Sequence, residues 1–249
     1  MMRETTVFGP IFSRRLGSSL GINLLPQKGK ICNFDCVYCE CGWNKDGLGD
    51  TALPTARDVR EALETKLKAC VKDGTPIDSI TFSGDGEPTL NPEFPQIIGL
   101  TLELRDRYYP QARVSVLSNA TRCGRPGVFE ALQQVDNAIL KLDAPTDAQA
   151  ALVNRPAGPY HVADVVKNLE RFEGKFVLHT MFLKGPGWAT EDWVEDWMKI
   201  VRQVKPREVM VYTIDRETPM AGLGKYTVEE MRRLVQPLID EGFIVQIKG

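Results

Sequence analysis

Apolar and polar positions along the chain alternate between two rhythms. Six short runs rich in β-branched or aromatic residues predict strands: SITF (79–82), RVSVL (113–117), AILKL (138–142), KFVLHTMF (175–182), EVMVY (208–212) and FIVQI (243–247). GINLLP (21–26) is expected to form a first strand ahead of them. Helix-length stretches separate these runs. From Asp58 to Val71, apolar residues at Val59, Ala62, Leu63, Leu67, Cys70 and Val71 follow a 3.6-residue period behind a Thr55 to Asp58 capping-box pattern. A second helix opens at Thr227, with Glu230 three residues on, and is expected to bury Val228, Met231, Leu234, Val235 and Leu238. A third, from about Glu191 to Val204, carries acids in its first turn and turns Trp193, Trp197 and Val201 inward.

Strand followed by helix, repeated about six times, predicts an α/β fold, specifically a single-domain partial (βα)6 TIM-like barrel with parallel strands. Glycine- and proline-rich breaks fall between elements, with no internal repeat or long linker, so residues 1–249 are expected to form one domain. Its core would run from about 20 to 212, with a C-terminal helix and strand over 227–247. Ligands of such a sheet gather at the carboxyl ends of its strands.

Charge adds little to this picture. Lys and Arg total 31 against 33 Asp and Glu. That balance lacks the basic field of a nucleic-acid binder, and a nucleic-acid partner is not favoured. Arg14 and Arg15, in SRRLG, are a local pair able to meet phosphate or simply to be solvated. No apolar run reaches the ~18 residues of a membrane span, and no secretory leader pattern opens the chain. A cytoplasmic protein without a membrane partner is expected. In that compartment cysteines stay reduced, so a tight cluster of them points to metal or redox chemistry.

Four of the six cysteines crowd into CNFDCVYCECGW (32–43). Cys32, Cys36 and Cys39 have the spacing C-x3-C-x2-C in the loop after the first expected strand. Three soft thiolates there suit zinc or an iron–sulfur cluster. Zinc in a structural site normally takes four protein ligands, and only one C-x2-C pair is present. Cys41 follows Cys39 after a single residue, which strains a shared tetrahedral site. Further strand ends bring other polar groups. FSGDGEPTLNP places Gly84, Asp85, Gly86 and Glu87 at a turn. SNAT offers the Ser118 hydroxyl and the Asn119 amide. In KLDAP, Lys141 and Asp143 alternate with Leu140 and Leu142, so both charges point to one side. HTMF contributes His179, a proton carrier or a structural group.

The cysteine stretch, with Tyr38 just before its third cysteine, resembles the cluster motif of the radical S-adenosylmethionine (radical SAM) superfamily. GDGE resembles the motif that receives the methionyl ammonium in that family. SRRLGSSLGINLLP, TFSGDGEPTLNP and DAPTDAQAALVNRP resemble the corresponding stretches of its wyosine-synthase-like branch, over roughly Phe8 to Tyr212. The resemblance implies a [4Fe-4S] cluster held by Cys32, Cys36 and Cys39, with the fourth iron left for S-adenosyl-L-methionine. Cofactor-binding positions would include Tyr38, Gly84, Asp85, Gly86, Glu87, Ser118, Asn119, Asp143, Asn154 and Arg155, and Lys141 and His179 would face a substrate cavity. An electron from a donor such as flavodoxin or ferredoxin would cleave the cofactor to a 5′-deoxyadenosyl radical that abstracts hydrogen from a substrate the sequence does not name.

Three other readings stand beside this one: wyosine-type transfer-RNA base modification, a glycyl-radical activase acting on a partner protein, and a non-catalytic zinc or electron-transfer module. Wyosine-forming enzymes carry additional N-terminal cysteines, and this chain has none before Cys32.

Overall fold

The computed structural model describes residues 5–13, 16–47 and 49–249, so Arg14 and Arg15 lie outside the described residues. The chain groups into two compact units. Of the described residues, the first takes those up to 32, 44–118 and 125–138, the second 33–43, 119–124 and 139–249.

In the first unit, strands β1 (Val7–Ser13) and β2 (Gly17–Ile22) form an antiparallel pair. Helix α1 (Ala56–Lys72), strand β3 (Ser79–Phe82), helix α2 (Phe94–Tyr108), strand β4 (Arg113–Ser118) and helix α3 (Val128–Gln134) follow. Strands β2, β3 and β4 run parallel, aligning Ile22 with Phe82 and Phe82 with Val116. Leu20, Ile22, Ile80, Phe82, Val114 and Val116 are fully buried on one face of these strands. Alternate residues form a ladder of hydroxyls. Ser19 and Thr81 lie 2.7 Å apart, Ser79 and Ser115 3.2 Å, and Asn137 Nδ2 donates to Ser115 Oγ at 3.0 Å. Buried hydroxyls of this kind are stable because each finds a neighbour.

The expected first strand is displaced. It ends at Ile22 instead of spanning 21–26, and β1 precedes it unforeseen. Gly9 and Pro10 demote VFGPIFS as a strand on sequence grounds. The pairing tolerates them through a register irregularity between Phe8 and Ile11.

The second unit contains β5 (Asn137–Lys141, whose first two residues belong to the first unit), α4 (Asp147–Val153), α5 (Val162–Glu170), β6 (Val177–Met181), β7 (Leu183–Gly185), β8 (Trp188–Ala189) and α6 (Val194–Val204). Then come β9 (Glu208–Tyr212), β10 (Gly224–Lys225), α7 (Val228–Asp240) and β11 (Val245–Lys248). Strands β5, β6, β9 and β11 are parallel neighbours in that order, aligning Lys141 with His179 and His179 with Met210. A small antiparallel sheet has the order β10, β7, β8.

Two helix entries match their sequence signals, whereas α6 starts at Val194 and not at about Glu191, which falls in a 3-10 turn over Thr190–Asp192. Thr55 and Asp58 cap α1 reciprocally, as Thr227 and Glu230 cap α7. Trp193, Trp197 and Val201 are buried, and Trp197 meets Phe182 edge to face at 5.3 Å. Leu234 is only half-buried, and two helix positions depart further from expectation, Val71 and Val228, which are 51% and 45% exposed. Each valine sits in a terminal turn, where the apolar stripe runs past the surface its helix covers. Among the described residues no helix is long and apolar enough to cross a membrane.

Candidate functional site

Each unit carries part of the polar machinery marked by the sequence. In the first, β3 opens into Ser83-Gly84-Asp85-Gly86-Glu87, which pairs with the residue just before Cys32. Ile31 N donates to Asp85 O at 3.2 Å, and Glu87 N donates to Ile31 O at 3.0 Å. Both glycines are sterically required. A Cβ on Gly86 (φ +139°) would lie 1.9 Å from Ile31 O, and one on Gly84 would lie 2.1 Å from Asn23 Oδ1. Asn23 fastens the turn from the other side, its Oδ1 accepting from the Asp85 and Leu25 amides. Glu87 is buried, and its Oε1 accepts from Thr89 N at 3.1 Å, Thr89 Oγ1 at 2.5 Å and Ser118 Oγ at 2.8 Å. Glu87 and Ser118, 31 residues apart, are thus one cluster. Cys32 O accepts from Asn44 Nδ2 at 3.1 Å.

The second unit holds the rest of the cysteine loop. Residues 33–37 run antiparallel to 153–157 at the end of α4: Asp35 N donates to Asn154 O at 2.9 Å, Val37 N to Val153 O at 3.0 Å, and Ala157 N to Asn33 O at 3.0 Å. Turns then close from Cys39 N to Cys36 O and from Gly42 N to Cys39 O. Asn119 joins the cysteine loop to its own turn: its Nδ2 donates to Asn33 Oδ1 at 2.7 Å and its Oδ1 accepts from Thr121 N and Oγ1. Arg155 is exposed, adopts a left-handed backbone (φ 46°) and lays its guanidinium 4.9 Å over the Trp43 ring.

Asp143 is the hub of this unit's polar core. It is 3% exposed and accepts from the Tyr38 hydroxyl, from Asn154 Nδ2 at 2.6 Å and from Met181 N at 2.8 Å. Lys141 Nζ lies 3.8 Å from Asp143 Oδ1, confirming that these two charges share a side of the chain. The same ammonium donates to Tyr212 OH at 2.5 Å and sits 5.1 Å from the centroids of both the Tyr38 and Tyr212 rings. His179 stacks on Tyr212 at 4.1 Å. Asn154 Nδ2 also reaches Cys36 Sγ at 3.4 Å.

Electrostatics follow from this packing. Burial pushes the Cys36 thiol up to about 11, with Lys141 pulling it down and Asp143 pushing it further up. Burial and then Asp143 hold the Tyr38 phenol well above its usual range. Burial opposes the charge on Lys141, yet Asp143 and Tyr212 outweigh it and keep the ammonium protonated above its ordinary value.

The structure therefore joins Cys36, Tyr38, Lys141, Asp143, Asn154 and His179 in one unit, the last through Tyr212, and Glu87 with Ser118 in the other. Tyr212, Asn33, Thr121 and Asn23 were not among the residues marked by the sequence. Asn33 and Thr121 lie within CNFDCVYCECGW and SNAT, but no spacing singles out any of the four, and each is found only through its hydrogen bonds. Among the described residues no disulfide involves any of the six cysteines.

The model of the Radical SAM superfamily matches residues 27–201, and the chain belongs to that superfamily. A UPF0026 protein of Synechocystis sp. is 30% identical over 231 residues, covering 89% of this chain and 81% of that protein. A Brachyspira hyodysenteriae protein named GTPase Obg is 29% identical over 236 residues, covering 93% of this chain; this chain spans only 33% of its length. Among solved structures, a radical SAM methyltransferase from Sphaerobacter thermophilus aligns with a TM-score of 0.70 at 18% identity, over 95% of this chain and 67% of that one. TYW1 with a lysine-pyruvate adduct bound aligns at 0.65 and 12% identity, over 92% and 76%. These likenesses establish the α/β, partial-barrel fold.

Proposed function

We propose that this chain is a radical SAM enzyme whose Cys32, Cys36 and Cys39 hold a [4Fe-4S] cluster, as one catalytic domain. The observation that carries the reading is the C-x3-C-x2-C spacing inside the stretch matched by the superfamily model. The donor set fits the group: three soft sulfur ligands, none of them in a disulfide, with an amide donor on one. When bound, cluster and S-adenosyl-L-methionine supply a 5′-deoxyadenosyl radical able to abstract hydrogen.

The chain's own residues bind, orient and shield. Gly84 to Glu87 offer backbone and carboxylate to the methionyl ammonium, with Ser118 holding Glu87 in place. Tyr38 and Asp143 order the wall beside Cys36, and Asn119 fixes the cysteine loop through Asn33. Arg155, stacked on Trp43, presents a planar cation to an anionic group. Lys141 and His179, with Tyr212 between them, face the substrate. A flavodoxin or ferredoxin would deliver the electron, in the cytoplasm.

Wyosine-type base modification is the second reading, supported by the fold shared with TYW1. Lys141 itself is poorly suited to a covalent adduct, because an amine must be neutral to attack a carbonyl and Asp143 and Tyr212 favour the charged form of this one. Comparing transfer-RNA nucleosides from cells with and without the protein separates the readings.

The central test is anaerobic reconstitution. Wild-type protein should be brown and, with dithionite, should form 5′-deoxyadenosine. Cys36→Ala should lose both properties, whereas Cys41→Ser should keep both. Colourless protein carrying one zinc, or loss of the cluster in Cys41→Ser, would sink the proposal and favour a metal or electron-transfer module. Full turnover in the absence of a small-molecule or RNA substrate, but only with a partner protein, would favour a glycyl-radical activase.

A further inference from the structure

We infer that Asn154 is a positioning residue that sets the reduction potential of the cluster, by donating a hydrogen bond from its side-chain amide to the sulfur of Cys36. The inference rests on the proposed cluster at the three cysteines.

Asn154 Nδ2 lies 3.4 Å from Cys36 Sγ and 2.6 Å from Asp143 Oδ2. Sulfur and carboxylate are both acceptors, so the nitrogen and not the oxygen of the amide must face them, and its two hydrogens are both committed. That leaves no side-chain hydrogen for the cofactor's carboxylate, and only the amide oxygen could meet a ribose hydroxyl.

Each end of the contact is anchored. On one side, Asn154 N donates to Ala150 O at 2.7 Å, closing the last turn of α4, and Asn154 O accepts from Asp35 N. On the other, Cys36 sits between Asp35 and Val37, both bonded to the strip 153–155. Asp143 cannot swing away, because the Tyr38 hydroxyl and the Met181 amide hold its two oxygens and Lys141 balances its charge. Asn154 is 2% exposed, so little water competes for the contact. The order Lys141, Asp143, Asn154, Cys36 is an outer-shell chain of the kind that orients and tunes metal ligands.

Adding an electron to an iron–sulfur cluster makes its sulfur ligands more electron-rich. A hydrogen bond to such a sulfur is then stronger in the reduced state and raises the potential. Removing this donor should lower it and leave the iron count unchanged.

The test is a redox titration of the anaerobically reconstituted holoenzyme, followed by the electron paramagnetic resonance signal of the reduced cluster, on wild type and Asn154→Leu. The expected result is equal iron content and a lower midpoint in the variant, with the reduced-to-oxidised ratio at fixed solution potential falling about tenfold, equivalent to about 59 mV for one electron. A purely structural role would lower the unfolding temperature and leave the midpoint in place; equal midpoints on intact clusters overturn the inference. Should Asn154→Leu fail to assemble a cluster, wild-type protein labelled with 15N at asparagine amides decides. Electron–nuclear double resonance of its reduced cluster should show a side-chain 15N coupling, and its absence overturns the inference. A wild type that takes up no cluster defeats the underlying function instead, and this inference with it.

Discussion

Asp143 and Glu87 are buried carboxylates that solve the same problem with different partners. Taking a carboxylate out of water is costly unless each oxygen is satisfied. Asp143 meets this with a phenol, two amides and an ammonium. Asp143→Ala would strip Lys141 of its counter-charge and should destabilise the apo chain by about 3–5 kcal/mol in chemical denaturation. Asp143→Asn, which keeps the shape and part of the bonding, should cost clearly less, and equal losses would contradict the hub assignment. Glu87 uses one oxygen to hold a backbone amide and two hydroxyls. Glu87→Ala should destabilise by about 1–3 kcal/mol through the buried donors it orphans. In calorimetry on the loaded enzyme it should also weaken S-adenosyl-L-methionine binding roughly tenfold or more, the equivalent of one charged hydrogen bond. Retained cluster with unchanged cofactor affinity would remove Glu87 from the binding role.

At the scale of elements, helices α4 and α5 are fastened by Asp147 and His161. Asp147 Oδ1 accepts from Val162 N, and its Oδ2 lies 2.8 Å from His161 Nδ1. The carboxylate raises the His161 pKa above its ordinary 6.5, while the Val162 amide and then His161 lower that of Asp147 from 3.8. A histidine with a raised folded value contributes stability that is complete below about pH 6.5 and lost as pH rises through the folded value. The aspartate contributes above its ordinary value and loses its part as pH falls through the lowered one. The pair therefore works best between about pH 4 and 6.5. With only two histidines in the chain, nuclear magnetic resonance should resolve His161 titrating above 6.5, and Asp147→Asn should return it towards 6.5. An unchanged midpoint in that variant would disprove the link. Helices α1, α6 and α7 show where periodicity is a sound guide and where it ends. Trp193, Trp197 and Val201 are inside as their spacing demands, whereas Val71 and Val228 continue the stripe into terminal turns and stand exposed.

For the molecule as a whole, the proposed cluster should act as a folding ligand. Two of its proposed thiolate ligands, Cys36 and Cys39, belong to the loop tied to the end of α4, and a group that binds only the folded state stabilises it by mass action. Oxidative removal of iron in the presence of a chelator should lower the unfolding temperature of wild type, and should leave that of Cys36→Ala unchanged. Equal behaviour of the two proteins would show that the metal does not report on the fold.

Much of this was readable from residue order alone. Strand identity came from short runs rich in β-branched and aromatic residues, helix identity from a 3.6-residue period, helix starts from the Thr55 and Thr227 caps, and the chemistry from the kind and spacing of Cys32, Cys36 and Cys39, since all of these are set within a few residues. Strand β1 escaped because Gly9 and Pro10 speak against a strand unless a partner and a bulge accommodate them. Folding decided the rest: that Tyr38, Asp143 and Asn154 share hydrogen bonds, that Tyr212 holds Lys141, that Asn33 meets Asn119. Those pairs lie 105, 71 and 86 residues apart for Tyr38–Asp143, Lys141–Tyr212 and Asn33–Asn119. Local preference dictates each residue's backbone, but only the register between strands and the path of the loops choose which distant side chain it will touch.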